Sequence, residues 1–361
     1  MRVAVVHNFL DSIGGAEKVA LTMARELEAD IITTSYDPEK VSRMGFSGVN
    51  VRSLGRVPAD APFRQQATLG KFRRLSLGGE YDFFIINSDW AVAAAVNNKP
   101  NMWYVHAPIR EIWDLYGYTR EHKVPRLFRG LFDLWVWHNR RRNREHVGHV
   151  GRIVCNSNNT RGKVLEYLGR DSDVIYPPIE CGSFRYGRNG DFWLSVNRLT
   201  KHKRVEVQMK AFERLRDERL VIVGSYDNAR SSAEYVRYLQ RIRPANVEVI
   251  SWVDAEKLAD LYADCKGFVT TAYDEDFGMT PLEAMASGKP TIAPNEGGYR
   301  ESIVDGETGM LIDGMDEVKL ASAIAEVGKD PKAYRDRCRR RAEEFDTKVF
   351  TRRMKEVLGG A

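Results

Sequence analysis

Two rhythms of apolar residues alternate along the chain. Short, nearly continuous apolar runs mark buried strands, and repeats at helical spacing mark the segments between them. In the first half, residues 1–7 open the series, and Asp30–Thr34, Tyr81–Asn87, Met102–His106 and Arg152–Asn156 continue it. Ala16 to Leu27 has helical spacing through Val19, Ala20, Met23, Ala24 and Leu27. Asp173–Ile179 reads as a further strand running into Pro177-Pro178, where consecutive prolines stop regular pairing. The second half repeats the scheme. Its strands are expected at Asp191–Val196, Arg219–Gly224, Asn246–Ser251, Gly267–Thr271, Pro290–Pro294 and Gly309–Ile312. Its helices are expected at Val205–Leu215, around Glu256–Ala263, from Thr280 to about Ser287, and over 315–330 and 332–357. Strands alternating with helices predict doubly wound parallel sheets, and the repetition predicts two α/β, Rossmann-like halves. The prolines place the junction within residues 176–190.

Composition adds bounds. A chain of 361 residues suits about two domains, and 43% apolar with 29% charged residues is ordinary for a globular protein with sizeable cores. No stretch is long and apolar enough to span a bilayer, and Met1-Arg2-Val3-Ala4-Val5-Val6-His7 reads as a strand rather than a signal peptide. Four cysteines without metal-ligand spacing predict reduced thiols and a cytoplasmic protein. The net charge of +5 is mild, but its distribution is not: Arg126 to Arg144 holds six arginines against one aspartate, interleaved with Leu127, Phe128, Leu131, Phe132, Leu134, Trp135 and Trp137. Aromatic and basic residues at helical spacing suit an anionic membrane surface; an amphipathic helix with a solvated basic edge is the plainer account. No nucleic-acid motif accompanies the patch, so no nucleic-acid partner is expected.

The chemistry concentrates at Asp274–Ala286. An apolar strand leads through Phe277-Gly278 into a short helix. Thr280-Pro281-Leu282-Glu283 reads as a capping box, with Thr280 as the N-cap and Glu283 reaching back. The unpaired N–H groups of a freshly started helix stabilise an anion, and Glu275 and Glu283 flank that point. Three further features are weaker alone. Gly14-Gly15 is either a tight turn or a backbone surface that a diphosphate-sugar approaches. His106 ends a strand, where open parallel sheets bind ligands, although a lone histidine is usually structural. Asn197-Arg198-Leu199-Thr200-Lys201-His202-Lys203-Arg204 is a basic loop following a strand.

Together these residues resemble a family. Glu275 and Glu283, with seven residues between them that include Phe-Gly, and with Glu283 opening Glu-Ala-Met-Ala-Ser-Gly-Lys-Pro, resemble the paired-glutamate signature of the family-4 retaining glycosyltransferases. Residues 197–204 resemble that family's donor loop, with Asn197 where glycine is usual. Gly297-Gly298-Tyr299-Arg300-Glu301, Asp305-Gly306-Glu307-Thr308-Gly309 and Gly14-Gly15-Ala16-Glu17 resemble its other loops. Val105-His106-Ala107-Pro108, Trp113-Asp114-Leu115-Tyr116 and Val174-Ile175-Tyr176-Pro177-Pro178 are similar to a mannosyltransferase-like branch. The resemblance implies the GT-B fold: two Rossmann-like domains facing a central cleft. Residues 1–177 would take the acceptor, 178–345 the nucleotide-sugar donor, and a helix over 346–361 would pack back toward the first domain.

It also implies a hexosyltransferase that moves a sugar, mannose from GDP-mannose first among candidates, to a hydroxyl of a lipid-linked or glycan acceptor with retention. UDP-sugar donors, or sugar-nucleotide epimerisation on the same fold, are the alternatives, and a non-catalytic glycan- or membrane-binding protein is the rival from another class. Catalysis would rest on His106, Arg198, Lys203 and Glu275. Donor binding would add Gly14, Gly15, Trp252, Phe277, Gly278, Met279, Thr280 and Glu283. Arg198 and Lys203 would stabilise the departing diphosphate. Glu275 would accept from the donor sugar, Glu283 would hold the ribose hydroxyls and His106 would face the sugar across the cleft. Asp274-Glu275-Asp276 superficially resembles a metal cluster, but the basic loop already supplies the positive charge, so neither metal nor cofactor is expected. The enzyme would be cytoplasmic, at the inner face of the membrane where Arg126–Arg144 meets anionic lipid.

Overall fold

A computed structural model of the chain describes residues 1–224, 230–251 and 253–359. The chain divides into two units: Met1–Tyr176 with the C-terminal stretch from Phe350, and Pro177–Val349. No helix among the described residues is long and apolar enough to cross a membrane.

The first unit holds a parallel sheet of seven strands: β1 (Val3–His7), β2 (Asp30–Thr33), β3 (Val51–Ser53), β4 (Phe83–Ile86), β5 (Asn101–Val105), β6 (Arg152–Cys155) and β7 (Asp173–Val174), in the order β3-β2-β1-β4-β5-β6-β7. Central β1 and β4 are buried along their whole length, as a sheet covered on both faces requires. The register sets Val5 beside Ile31 on one side and Ile85 on the other. Edge strand β3 has no apolar run, only half-buried Val51 and exposed Arg52 and Ser53, so the apolar rhythm does not announce it. The strand expected at Asp173–Ile179 stops at Val174, three residues before the first proline.

The second unit has six parallel strands: β8 (Phe192–Val196), β9 (Arg219–Val223), β10 (Val247–Ile250), β11 (Gly267–Val269), β12 (Thr291–Pro294) and β13 (Gly309–Ile312). Their order is β10-β9-β8-β11-β12-β13. Chain order reverses between β8 and β11, as it does between β1 and β4 in the first unit. Loops leaving the carboxyl ends of such a strand pair diverge and open a crevice.

Two expected helices differ. The helix expected from Thr280 spans Met279–Ala286, with Gly278 at its N-cap in a left-handed conformation (φ 85°). Thr280 therefore lies within the first turn, and the capping box is not formed. Glu283 is the helix's fifth residue and is buried. The helix expected over 332–357 is broken into Arg335–Glu343 and Thr347–Gly359. Phe345 is buried at the break, its carbonyl accepts from Ile179 N (2.8 Å), and Asp346 restarts the helix by accepting from Lys348 N (2.9 Å).

Candidate active site

In the second unit the two loops at the reversal point meet. The basic loop leaves β8 and passes through a short 3-10 turn, Lys201–Lys203, to Arg204, whose backbone is left-handed (φ 49°). Glycine takes that conformation without strain, whereas a residue with a side chain does not. Arg204 offsets the strain by making contacts. Its guanidinium donates to the carbonyls of Thr271 (2.6 Å) and Ala272 (3.2 Å), pairs with Glu296 and lies over the Tyr273 ring. Thr271 Oγ1 in turn donates to the carbonyl of Lys203 (2.7 Å). Arg204 thereby ties the β8 loop to the end of β11.

This fastening brings Lys203 to Glu275. The ammonium donates to Glu275 Oε2 at 2.5 Å across 72 residues of sequence, and both side chains are largely sheltered from solvent. Glu275, which the sequence leaves without a structural purpose, thus has a protein partner. Arg198 is exposed on the same loop. The glutamate loop is itself clamped by the loop after β12. Gly298 N donates to Glu275 O (2.8 Å), and a Cβ on Gly298 would stand 2.5 Å from Phe277 Cα. Phe277 is buried against Phe345, so only its backbone can serve a ligand. Met279 and Thr280 are half-buried in the first turn, where helical N–H groups have no intrahelical acceptor. Burial, then the Glu275 carboxylate, raises the Tyr299 phenol well above its usual range, so it stays protonated beside Thr270 Oγ1 (2.8 Å).

Glu283 lies deeper, and the Tyr262 hydroxyl donates to its Oε2 at 2.8 Å. Periodicity shows Glu283 but not this partner, which comes from the preceding helix, Ala255–Asp264. Trp252 lies outside the described residues.

The first unit places its own candidates around the β1–β4 reversal. Gly14 is the N-cap of the helix Gly15–Glu26. Glu17 folds back over it, held by Ser12 Oγ (2.6 Å), and occupies the space a side chain on Gly14 would need. The Glu17 carboxylate thus stands over the Gly14 backbone at the start of the helix. His106 follows β5. Its Nε2 donates to Asn87 Oδ1 (3.1 Å), while the Asn87 amide nitrogen donates to Ala16 O (3.2 Å), which fixes the amide's orientation. Burial, reinforced by nearby His7, pushes the His106 pKa down to about 3. The imidazole is neutral at physiological pH and acts as a hydrogen-bonding group, not a cation. Among the described residues no cluster of histidine, cysteine, aspartate or glutamate has the arrangement of a metal site.

Comparison with known proteins matches both units. Residues 13–182 match the Glycosyltransferase Family 4 profile, and 186–345 match Glycosyl transferases group 1. The chain belongs to the family-4 glycosyltransferases. Among curated members it is similar to Alpha-1,3/1,6-mannosyltransferase ALG2 of Dictyostelium discoideum, 25% identical over 92% of this chain and 90% of the relative. The ALG2 of Candida glabrata is 27% identical over 97% and 91%. Among solved structures, Anabaena Alr3699/HepE in complex with UDP and glucose superposes with a TM-score of 0.78 at 16% identity, covering 99% of both chains. The fold is that of the GT-B glycosyltransferases.

Proposed function

We propose that this glycosyltransferase moves mannose from GDP-mannose to a hydroxyl of a lipid-linked or glycan acceptor, with retention at the anomeric carbon. The reading rests chiefly on one observation, the Lys203–Glu275 pair at the sheet reversal. It is supported by mannosyltransferase relatives that match across nine-tenths of the chain. As the sugar parts from the diphosphate, negative charge grows on the leaving oxygens. Lys203, exposed Arg198 and the first turn of the helix Met279–Ala286 supply the compensating positive charge, so no metal is required. Glu275 accepts hydrogen bonds from the sugar hydroxyls and Glu283 from the ribose.

The test is thermal stabilisation by a donor panel, followed by transfer assays with and without EDTA. Ligand affinity appears directly as added stability, about 2.7 kcal/mol at a hundredfold excess over Kd. GDP and GDP-mannose should raise Tm most, and EDTA should leave transfer unchanged. A larger shift with UDP-sugars would move the reading to a UDP donor, product from donor alone would indicate epimerisation, and no response to any nucleotide would refute it.

We also infer that the enzyme works on an anionic membrane surface at the cytoplasmic face. The helix Arg129–Val147 has two faces. Val136, Asn139, Asn143, His146 and Val147 are buried, whereas Leu131, Leu134 and Trp137 are each more than 60% exposed, continued by Leu127 and Phe128. At 100° per residue, Leu131, Leu134, Trp137, His138 and Arg141 share one arc. The arginines divide. Arg140 donates to Ile112 O (2.6 Å) and lies over Trp113 and Tyr116, so it serves the core, while Arg144 is exposed and lies over Trp113. Arg126 and Arg141 remain exposed beside the apolar arc. The four free cysteines accord with a reducing compartment. Replacing Leu134 and Trp137 with aspartate should abolish flotation with phosphatidylserine vesicles while leaving transfer to a soluble acceptor intact. Undiminished flotation would rule this face out.

A further inference from the structure

Glu283 does not do the work its local sequence advertises. The helix starts at Met279, so Glu283 is its fifth residue and does not stand at the third position, from which a capping box reaches back. It is buried, yet to serve the donor it must present oxygen to a ribose. A long acidic side chain in such a place needs its rotamer fixed, because a carboxylate that swings loses the geometry for two neighbouring hydroxyls.

The structure assigns Tyr262 as the positioning residue that aims Glu283 at the ribose of the nucleotide, an inference that rests on the proposed GDP-mannose transfer. Tyr262 is fully buried, and its hydroxyl donates to Glu283 Oε2 at 2.8 Å. The ring has little freedom: Phe184 meets it edge-on at 5.6 Å and Phe268 packs at 5.9 Å. Phe268 belongs to β11, the strand that ends in the glutamate loop. The phenol has a single proton to donate, and an ionised carboxylate has about four acceptor positions. Tyr262 therefore fixes one oxygen while taking one of those positions. Burial, then the charge of Glu283, raises the phenol well above its usual range, so the donor persists across any working pH.

The experiment is the pair Tyr262→Phe and Glu283→Gln, with their double variant, each measured with GDP and 2′-deoxy-GDP and in steady-state transfer. The wild type should bind GDP more tightly than the deoxy form. Tyr262→Phe keeps the ring and removes only the hydroxyl. It should raise the donor KM about tenfold, the scale of one hydrogen bond to a charged group, with kcat nearly unchanged, and bring the GDP to deoxy-GDP ratio close to one. The double variant should match Glu283→Gln alone, since Tyr262 acts through that carboxylate. A packing role only would lower Tm and leave the ratio at its wild-type value, which overturns the inference. It is also overturned if Glu283→Gln erases the ratio and Tyr262→Phe does not. If Tyr262→Phe alone fails to fold, the double variant decides: GDP affinity equal to that of Glu283→Gln supports the inference, and weaker affinity overturns it. A wild type indifferent to the 2′-hydroxyl refutes the ribose reading itself, a result distinguishable from failure of the Tyr262 step.

Discussion

Replacing Lys203 with alanine is expected to lower kcat by about a hundred- to a thousandfold, the usual cost of removing one preorganised donor from a developing anion. The magnitude follows from where the ammonium sits. It is sheltered, at the carboxyl end of β8, where water screens its field poorly. It is also held on a loop that Arg204 fastens to β11. Glu275→Ala should also fall steeply, for a different reason: it leaves the lysine but removes the acceptor for the sugar. Because the two side chains contact each other, their effects should be non-additive, and Lys203→Ala/Glu275→Ala should be little worse than the poorer single variant. Steady-state kinetics on the three variants checks this. Turnover within a few fold of wild type in Lys203→Ala would remove the residue from the mechanism. Lys203→Arg is not expected to rescue fully, since a planar fork replaces a compact charge at a spacing set for the latter.

The two parallel sheets were legible because strands buried on both faces are nearly continuous apolar runs, as β1, β4, β8 and β9 are apart from His7, Ser195 and the exposed Arg219. The candidate residues of the second unit were legible by type and spacing. What stayed hidden was their pairing. No periodicity relates Lys203 to Glu275 or Tyr262 to Glu283, because the sheet order, and not the local chain, brings them together. The helix start failed for a related reason. Thr280-Pro281-Leu282-Glu283 is a good local signal, but Gly278 adopts a left-handed conformation against Tyr299 and turns the chain into the helix before Thr280. Tertiary packing overrode the cap. Likewise, the richness of Arg126–Arg144 in arginine says nothing of which arginines face solvent; Trp113 and Tyr116 decide that for Arg140.

Gly298→Ala is the second large effect expected, and it arises from a residue with no functional group. Gly298 has φ −70° and ψ −9°, which alanine adopts freely, so backbone strain is not the issue. Space is. The new methyl carbon would stand 2.5 Å from Phe277 Cα and 2.6 Å from Asp276 O, and neither is the end of a flexible side chain that can step aside. Either the Gly297-Gly298 loop or the Asp274–Gly278 loop must move, and the bond from Gly298 N to Glu275 O stretches as it does. Overpacking of this kind costs about 1–3 kcal/mol of stability. The larger consequence is for the chemistry: a displacement on the order of 1 Å in a positioned group can cost about a hundredfold in rate, and the displaced group here is Glu275 with the first turn of the helix behind it. We expect kcat/KM to fall by about that factor in a protein that still folds. Gly182→Ala, in the same unit with nothing within 4 Å of the added carbon, should be close to neutral in both respects. Thermal melts and donor kinetics on the two variants separate the effects. Near-normal turnover in Gly298→Ala would mean that the glutamate loop need not be held where the glycines hold it, and the assignment of Glu275 to the donor sugar would lose its geometric basis.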